Sequence, residues 1–464
     1  MKQFSYILSL LGLFGFFFSG TIDLDNLFNY ANQEVPDYIF FDNTTTNQIN
    51  DRTATLGRVL FYDKTLSRDN TVSCSSCHQQ AFGFSDPAIQ STGVAGVTSR
   101  HSMRLINTRF GIEESVFWDE RAARLEDQVT QPIQDHIELG YSGTNGDPDI
   151  NDLIELLSGL DYYQQLFTFA YGTPVVTELR IKLALAQFVR SIQSFDSKFD
   201  QGMVLSNEQI LEPFPNFTNS ENLGKELFLL DKPVGANCAT CHQPPEFSID
   251  WISSNNGVTA TADGTGVDYT NFRSPTLRDL VNPDGVANTP FMHNGAFPDL
   301  MSVVEHYNAV PFDPNNELLD PDLLDPNTGE PQQLMLTSDE KLALIDFLGT
   351  LTGSNVYTDE KWSDPFEPDG TIEIIGGNLG IYDLAGPEIE IQLSPNPAKD
   401  YVLIKAAVGL YDMTLTDTQG KKVMSCSMGG QQQLSVGHLA QGLYYLSMTN
   451  LETGSHSVTK LIKG

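Results

Sequence analysis

Four of the five cysteines in the chain sit in two copies of one pentapeptide, Cys74-Ser-Ser-Cys77-His78 and Cys238-Ala-Thr-Cys241-His242. Thiols at i and i+3 on a short helical turn can each form a thioether with one porphyrin vinyl group. The imidazole that follows then points back at the iron as an axial ligand. The motif reads as the attachment signal for c-type haem, present twice, with His78 and His242 as proximal ligands. A zinc ribbon would set its two CxxC pairs about 15–20 residues apart, and these lie in distant parts of the chain. A thioredoxin-like pair does not need a histidine after it twice. Cys426, the fifth cysteine, has no evident partner.

Both motifs close longer matching stretches, "LGRVLFYDKTLSRDNTVSCSSCH" from Leu56 and "LGKELFLLDKPVGANCATCH" from Leu223. Each runs Leu-Gly-basic, an apolar pair, Asp, a loop and CxxCH. Farther on, "FWDERAARL" from Phe117 lies opposite "FMHNGAFPDL" from Phe291, and Arg100 opposite Arg273. This is the signature of a duplicated unit of roughly 150 residues. The connecting segments have helical periodicity. "TELRIKLALAQFVRSIQSF" opens on Thr177 as an N-cap, and "NDLIELLSGL" from Asn151 and "SDEKLALIDFLGTL" from Ser338 follow the same rule. The acidic, proline-rich stretch from Val310 to Pro331 reads as a loop, and its aspartates do not match a helix–loop–helix calcium site.

Domain boundaries follow from these changes of pattern. Residues 1–20 read as a signal peptide, with Lys2, an apolar run from Tyr6 to Phe18, then Ser19 and Gly20. A first haem domain is expected over 45–205, a second over 206–355, a linker over 356–386 and a β-rich domain over 387–464. Short alternating runs such as "YVLIKAAV", "YDMTLTD" and "GLYYLSMTN", divided by turn residues, predict a small β-sandwich there. With 60 acidic against 26 basic residues, the 464-residue chain carries a net charge of −34. That argues against nucleic-acid binding and suits a neutral small substrate or a cationic partner.

The last 75 or so residues, through "LSPNPAKDYVLI", "DTQGKKV" and "KLIKG", resemble the C-terminal sorting domain of the type IX secretion pathway. The resemblance implies export, to the periplasm or on to the cell surface or medium, through that secretion machinery. From Leu56 to Leu351 the chain resembles the bacterial dihaem cytochrome c peroxidase family, which includes MauG. The matching stretches are "FWDERAARLEDQVTQPIQDHIEL", "CATCH" and "RSPTLRDL…TPFMHNGAFPDLMSVVEHYN", beside the first CxxCH segment. The family implies a mainly α fold, two cytochrome-c-like haem domains in tandem, here followed by the small β-sandwich. It also implies a first haem that meets peroxide and a second that stores or relays electrons.

Carried over position by position, Glu138 matches the family's catalytic glutamate, Gln128 its active-site glutamine and Trp118 the tryptophan between the haems. Arg100, Arg121 and His293 fall on the propionate side. A carboxylate over an open iron can move a proton from the near to the far peroxide oxygen, which makes water the leaving group. This sequence also departs from the pattern. No histidine occurs about sixteen residues after the first CxxCH, where some members cap the iron, so the first haem is expected to be open. His101 could serve as a cap, but a structural role is the default. The slot for the second haem's sixth ligand holds Tyr307, with Met301 as the alternative after a one-turn slip. Asn288 and Pro290 match backbone ligands of the family's calcium, although His101 replaces the usual asparagine.

The expected activity is reduction of hydrogen peroxide with electrons from an external donor protein such as a small cytochrome. The rival readings are a MauG-like high-valent oxidase acting on a protein or organic substrate, a non-catalytic dihaem electron carrier, and a polymer-binding β-domain with ancillary haems.

Overall fold

The structure is a computed structural model describing residues 20–464 apart from 113–114, 249–253, 289, 378–390, 408, 419–420 and 452–455. All but the last residue of the predicted signal peptide, and the end of the predicted linker, lie outside the described residues.

The repeated Leu-Gly pair has a packing reason. Helix Asp51–Tyr62, capped by the Asn50 side chain accepting from Thr53 N–H, crosses helix Glu178–Ser191, which Thr177 caps. At the crossing, a Cβ on Gly57 would overlap the Ala184 carbonyl and press on Phe188 Cβ. In the second half, helix Asn219–Leu229 crosses helix Ser338–Gly349, each opened by a Thr…Glu capping box. There a Cβ on Gly224 would overlap the Ala343 carbonyl and press on Phe347 Cβ. Each crossing puts backbone against backbone, which only glycine permits.

Each half has its own apolar core. The first gathers Leu56, Leu60, Phe61, Tyr163, Phe167 and Phe188, the second Phe199, Phe228, Phe247, Leu344 and Phe347. A buried polar contact joins the halves. Asn107 Nδ2 donates to Glu246 at 2.9 Å, and beside the second core Arg278 donates to both Asp200 oxygens, at 3.1 and 3.0 Å.

The stretch expected to be a linker is, in its first part, structural. Val356 and Trp362 are buried in the first core, and Tyr30 donates its hydroxyl to the Lys361 carbonyl at 2.8 Å. Strand Glu373–Ile375 then pairs in parallel with strand Thr21–Asp23. An acidic, proline-containing composition suggested a linker, but one buried tryptophan is enough to dock the segment.

After residue 390 the chain forms two antiparallel sheets. Strands Gln392–Ser394, Tyr401–Lys405 and Gln431–Ser435 make one. Strands Tyr411–Asp417, Lys422–Met428, Gly442–Asn450 and His456–Lys463 make the other. Alternate residues such as Val402, Ile404, Met413, Leu415, Leu446 and Met448 are buried in a single core. Cys426 is a free thiol on the Lys422–Met428 strand.

Candidate haem sites and the bridge between them

The two CxxCH turns are built alike. Cys74–Cys77 is one helical turn capped by Ser73, and Cys238–Thr240 is a tighter turn. In each, the histidine N–H bonds back to the first cysteine's carbonyl at 3.0 Å. His78 Nδ1 lies 3.2 Å from the Phe84 carbonyl, and His242 Nδ1 lies 3.3 Å from Phe247 O and 3.1 Å from Pro275 O. Phe84 and Phe247 both take left-handed backbone, at φ 57° and 53°, a few residues after their turns. A carbonyl facing Nδ1 fixes the proton there and leaves the Nε2 lone pair for a metal. Burial pushes His242 down to about 4, so its imidazole is neutral at working pH.

The first cavity, about 630 Å³, is lined by Cys74, Cys77, His78, Gln128 and Glu138. The second, about 190 Å³, is lined by Cys238, Cys241, His242, Met292, His293 and Tyr307. His101, Met103, Arg104, Trp118 and Arg273 are among the residues that line both. The fit to a covalently held macrocycle is direct. None of the four thiols is in a disulfide and all four residues line these cavities, and both ring nitrogens of buried His293 lack a hydrogen-bond partner beside the second one.

Glu138 is held by its backbone. Its N–H donates to Asp135 Oδ1 at 3.0 Å and its carbonyl accepts from Val94 N–H at 3.0 Å. Val94 is at the turn of the small hairpin Thr92–Gly93/Gly96–Val97. A Cβ on Gly93 would overlap the Ile137 carbonyl and crowd Glu138 Cα. Burial raises the Glu138 carboxyl to about 7, with Asp135 adding to the shift and Arg121 opposing it. Gly93→Ala is expected to displace the Glu138 segment and cut peroxide turnover at least tenfold while leaving the haem absorbance per chain unchanged. Steady-state turnover beside haem quantification checks this.

Trp118 lies between the cavities. Its indole N–H donates to the His101 carbonyl at 2.8 Å, and its ring centre is 6.2 Å from that of His293, edge to face. The loops carrying these two rings correspond. Bridge Val116–Ala122 in the first half matches bridge Phe291–Phe297 in the second, and the next residues, Phe117 and Met292, have φ 74° and 70°. The register is therefore Phe117 with Met292 and Trp118 with His293. That is one residue off the match of Phe117 with Phe291 expected from the sequence. The backbone bonds across the bridge are reciprocal: His101 N–H donates to His293 O and Arg273 N–H to Trp118 O, both at 2.7 Å.

The two arginines expected on the propionate side have acidic partners. Arg100 is committed to Asp119 at 2.7 Å and Asp268 at 2.9 Å, and Arg121 pairs with Asp119 at 2.8 Å while stacking on Phe117. Both line the first cavity only. Arg104, which sequence reasoning missed, lines both cavities. His101 is engaged at both nitrogens, Nδ1 with Ala88 O at 3.0 Å and Nε2 with Ser85 Oγ at 3.2 Å. Those contacts suit the structural role.

Comparison with known proteins gives the same answer as the paired motifs. The di-haem cytochrome c peroxidase family profile matches residues 51–208, and that of the secretion system C-terminal sorting domain matches 392–464. The methylamine utilization protein MauG of Methylorubrum extorquens is 30% identical over 277 residues, covering 56% of this chain and 70% of that protein. The chain belongs to the di-haem cytochrome c peroxidase/MauG family. MauG of Methylophilus methylotrophus is 28% identical, covering 65% and 82%, and cytochrome c551 peroxidase of Nitrosomonas europaea is 26% identical, covering 65% and 80%. A solved MauG-like protein associated with microbial copper homeostasis is 26% identical, with a TM-score of 0.57 over 72% of this chain and 99% of that one. Members of the family bind two c-type haems, and this chain supplies both attachment motifs. Its sorting domain marks it for export and surface attachment.

Two expected ligand sets can be placed in the fold. Tyr307 lines the second cavity, but Met301 does not. The methionine present there is Met292, and Asn256 Nδ2 reaches both Met292 Sδ at 3.5 Å and the Tyr307 hydroxyl at 3.4 Å. A one-turn slip along helix Leu300–Asn308 is thus not what brings a sulfur to the site. Tyr307→Phe is expected to change the second haem's spin state and potential, and Met292→Leu to leave the spin state as it was. Low-temperature absorption and EPR spectra of both variants check this, and the reverse pattern would assign the ligand to Met292.

The calcium residues do not fit the ion. The Asn288 carbonyl accepts from Arg104 Nη2 at 3.2 Å. A dication on that oxygen would stand within about 6 Å of a guanidinium, a repulsion on the order of 5 kcal/mol even at an effective dielectric near 20. His101 offers no oxygen to the site from its side chain, and its carbonyl is taken by Trp118. Calcium prefers six to eight oxygen ligands.

Proposed function

We propose that the protein is an exported dihaem peroxidase that reduces hydrogen peroxide to water, H2O2 + 2H⁺ + 2e⁻ → 2H2O, with electrons from an external donor protein. In this reading the halves over 45–205 and 206–355 are cytochrome-c-like domains, and the two C-terminal sheets over 387–464 form a β-sandwich. The observation that carries the reading is Glu138, a partly buried carboxyl with a raised pKa in the same cavity as Cys74, Cys77 and His78.

When bound, the haem would supply an iron that binds peroxide and exchanges electrons. His78 would hold that iron through Nε2, its orientation set by the Phe84 carbonyl. Glu138 would accept a proton from peroxide and return it to the departing oxygen, so that water is the leaving group. The Gln128 amide can orient the peroxide by hydrogen bonding. Trp118, between the cavities, keeps the gap filled with a polarisable ring. The acidic surface suits a donor with a basic face.

A second reading, a MauG-like oxidase acting on a protein or organic substrate, is favoured by Tyr307 in the second cavity, since a tyrosinate ligand stabilises oxidised iron relative to methionine.

EPR of the ferric dihaem protein, before and after hydrogen peroxide, tests the core of the proposal. One high-spin signal that peroxide removes, beside one low-spin haem, is the expected result. Two low-spin haems indifferent to peroxide, in both the ferric and the half-reduced protein, would identify an electron carrier instead. Turnover with reduced cytochrome c then separates the peroxidase from an enzyme that only oxidises a partner slowly.

A further inference from the structure

Arg104 lies deep inside the protein, keeps its charge at any working pH, and opens onto both haem cavities. It belongs to the first half, and its Nη2 donates to the Asn288 carbonyl of the second half at 3.2 Å. Asn288 is fixed in turn, its side-chain amide donating to Asp279 O and to the Tyr357 hydroxyl, each at 2.8 Å.

The neighbouring arginines have carboxylate partners. Arg100 is paired with Asp119 and Asp268, and Arg278 with Asp200. Among the described residues no carboxylate bonds to Arg104, whose Nε is buried without a hydrogen-bond partner. The acid whose charge acts on it is Asp279, and that carboxyl accepts from the Gly353 N–H at 2.9 Å and makes no bond to the guanidinium. A positive charge thus remains in the wall that both cavities share.

We propose that Arg104 is the fixed cation of the bridge, standing where a metal ion would otherwise tie the two halves and serving both haem sites, so that this protein works without calcium. Its side chain borders both cavities, so its charge is shared by whatever each of them holds. A fixed cation in the wall of both cavities would favour the reduced state of a haem held in either.

The test uses the dihaem holoprotein. Calcium content is measured by elemental analysis, and the EPR spectrum and melting temperature are recorded before EGTA, after EGTA and after added calcium chloride. No stoichiometric calcium and no change on chelation is the expected result. One retained calcium per chain, or a spectrum that changes with EGTA and returns with calcium, would overturn the proposal. Midpoint potentials of Arg104→Met are then compared with those of Arg124→Met, which removes a half-exposed arginine. Both haem potentials are expected to fall in the first variant and neither to move in the second. Unchanged potentials in Arg104→Met, or equal shifts in the two variants, would also overturn it. If Arg104→Met fails to load haem, the calcium measurement on the natural protein still decides.

Discussion

Glu138→Gln is expected to lower peroxide turnover about 10²–10⁴-fold, the usual contribution of a positioned acid–base group, with both haems still attached. The amide keeps the size and the backbone contacts to Asp135 and Val94, so position is retained and only proton transfer is lost. The pH profile gives an independent readout. Burial raises the carboxyl to about 7, so the ionised, proton-accepting form grows in as pH rises through neutrality. Turnover of the natural protein should climb across that range, and the variant should lose the limb. Stability moves in the other direction. A carboxyl raised from about 4.5 to about 7 binds its proton more tightly in the folded state, so its contribution falls as pH rises between those values. The glutamine variant should therefore melt relatively higher at pH 8 than at pH 5. A variant with full turnover and an unchanged profile would remove Glu138 from the mechanism.

The second large effect is structural. Gly57→Ala and Gly224→Ala are each expected to destabilise the protein by about 2–3 kcal/mol, the scale of overpacking in a core. Two effects compete. Alanine favours a helix over glycine by about 1 kcal/mol, but here the new methyl would overlap a carbonyl oxygen of the crossing helix, Ala184 or Ala343. Backbone cannot step aside as a flexible side chain can, so the overlap wins. Gly349, on the Ser338–Gly349 helix, is the control, because nothing lies within 4 Å of the place its methyl group would take. Gly349→Ala should be neutral or slightly stabilising. Denaturant unfolding of the three variants checks the sign, and equal midpoints for all three would mean the helix crossings relax at no cost.

What could be read from the sequence follows the range of the interactions involved. The CxxCH pentapeptides are legible because their chemistry depends only on neighbours three and four residues away. The repeated Leu-Gly was legible as a repeat, yet its cause, carbonyls on helices far along the chain, was not. Matching Phe117 to Phe291 followed the letters, whereas the backbone bridges set the register one residue later. Met301 was considered because slippage along a helix is easy to imagine. Met292 reaches the cavity from a loop, in left-handed backbone that its residue type does not announce. The acidic partners of Arg100 and Arg121, Asp119 and Asp268, one of them far off in sequence, could not be read from the residues around them. The docking of Val356 and Trp362 is also a tertiary fact, which composition could not reveal.

The reciprocal pair of bonds, His101 to His293 and Arg273 to Trp118, is the contact pattern of a two-fold axis, in which one half's position i meets the other's j and the reverse. Had the halves been separate identical chains, the ring at the Trp118 position and the ring at the His293 position would have been one and the same residue, changing together with every mutation. Fusion into a single polypeptide removes that identity. One side of the axis can carry an indole and the other an imidazole, and the two cavities they face can diverge in task without either losing its mirror partner.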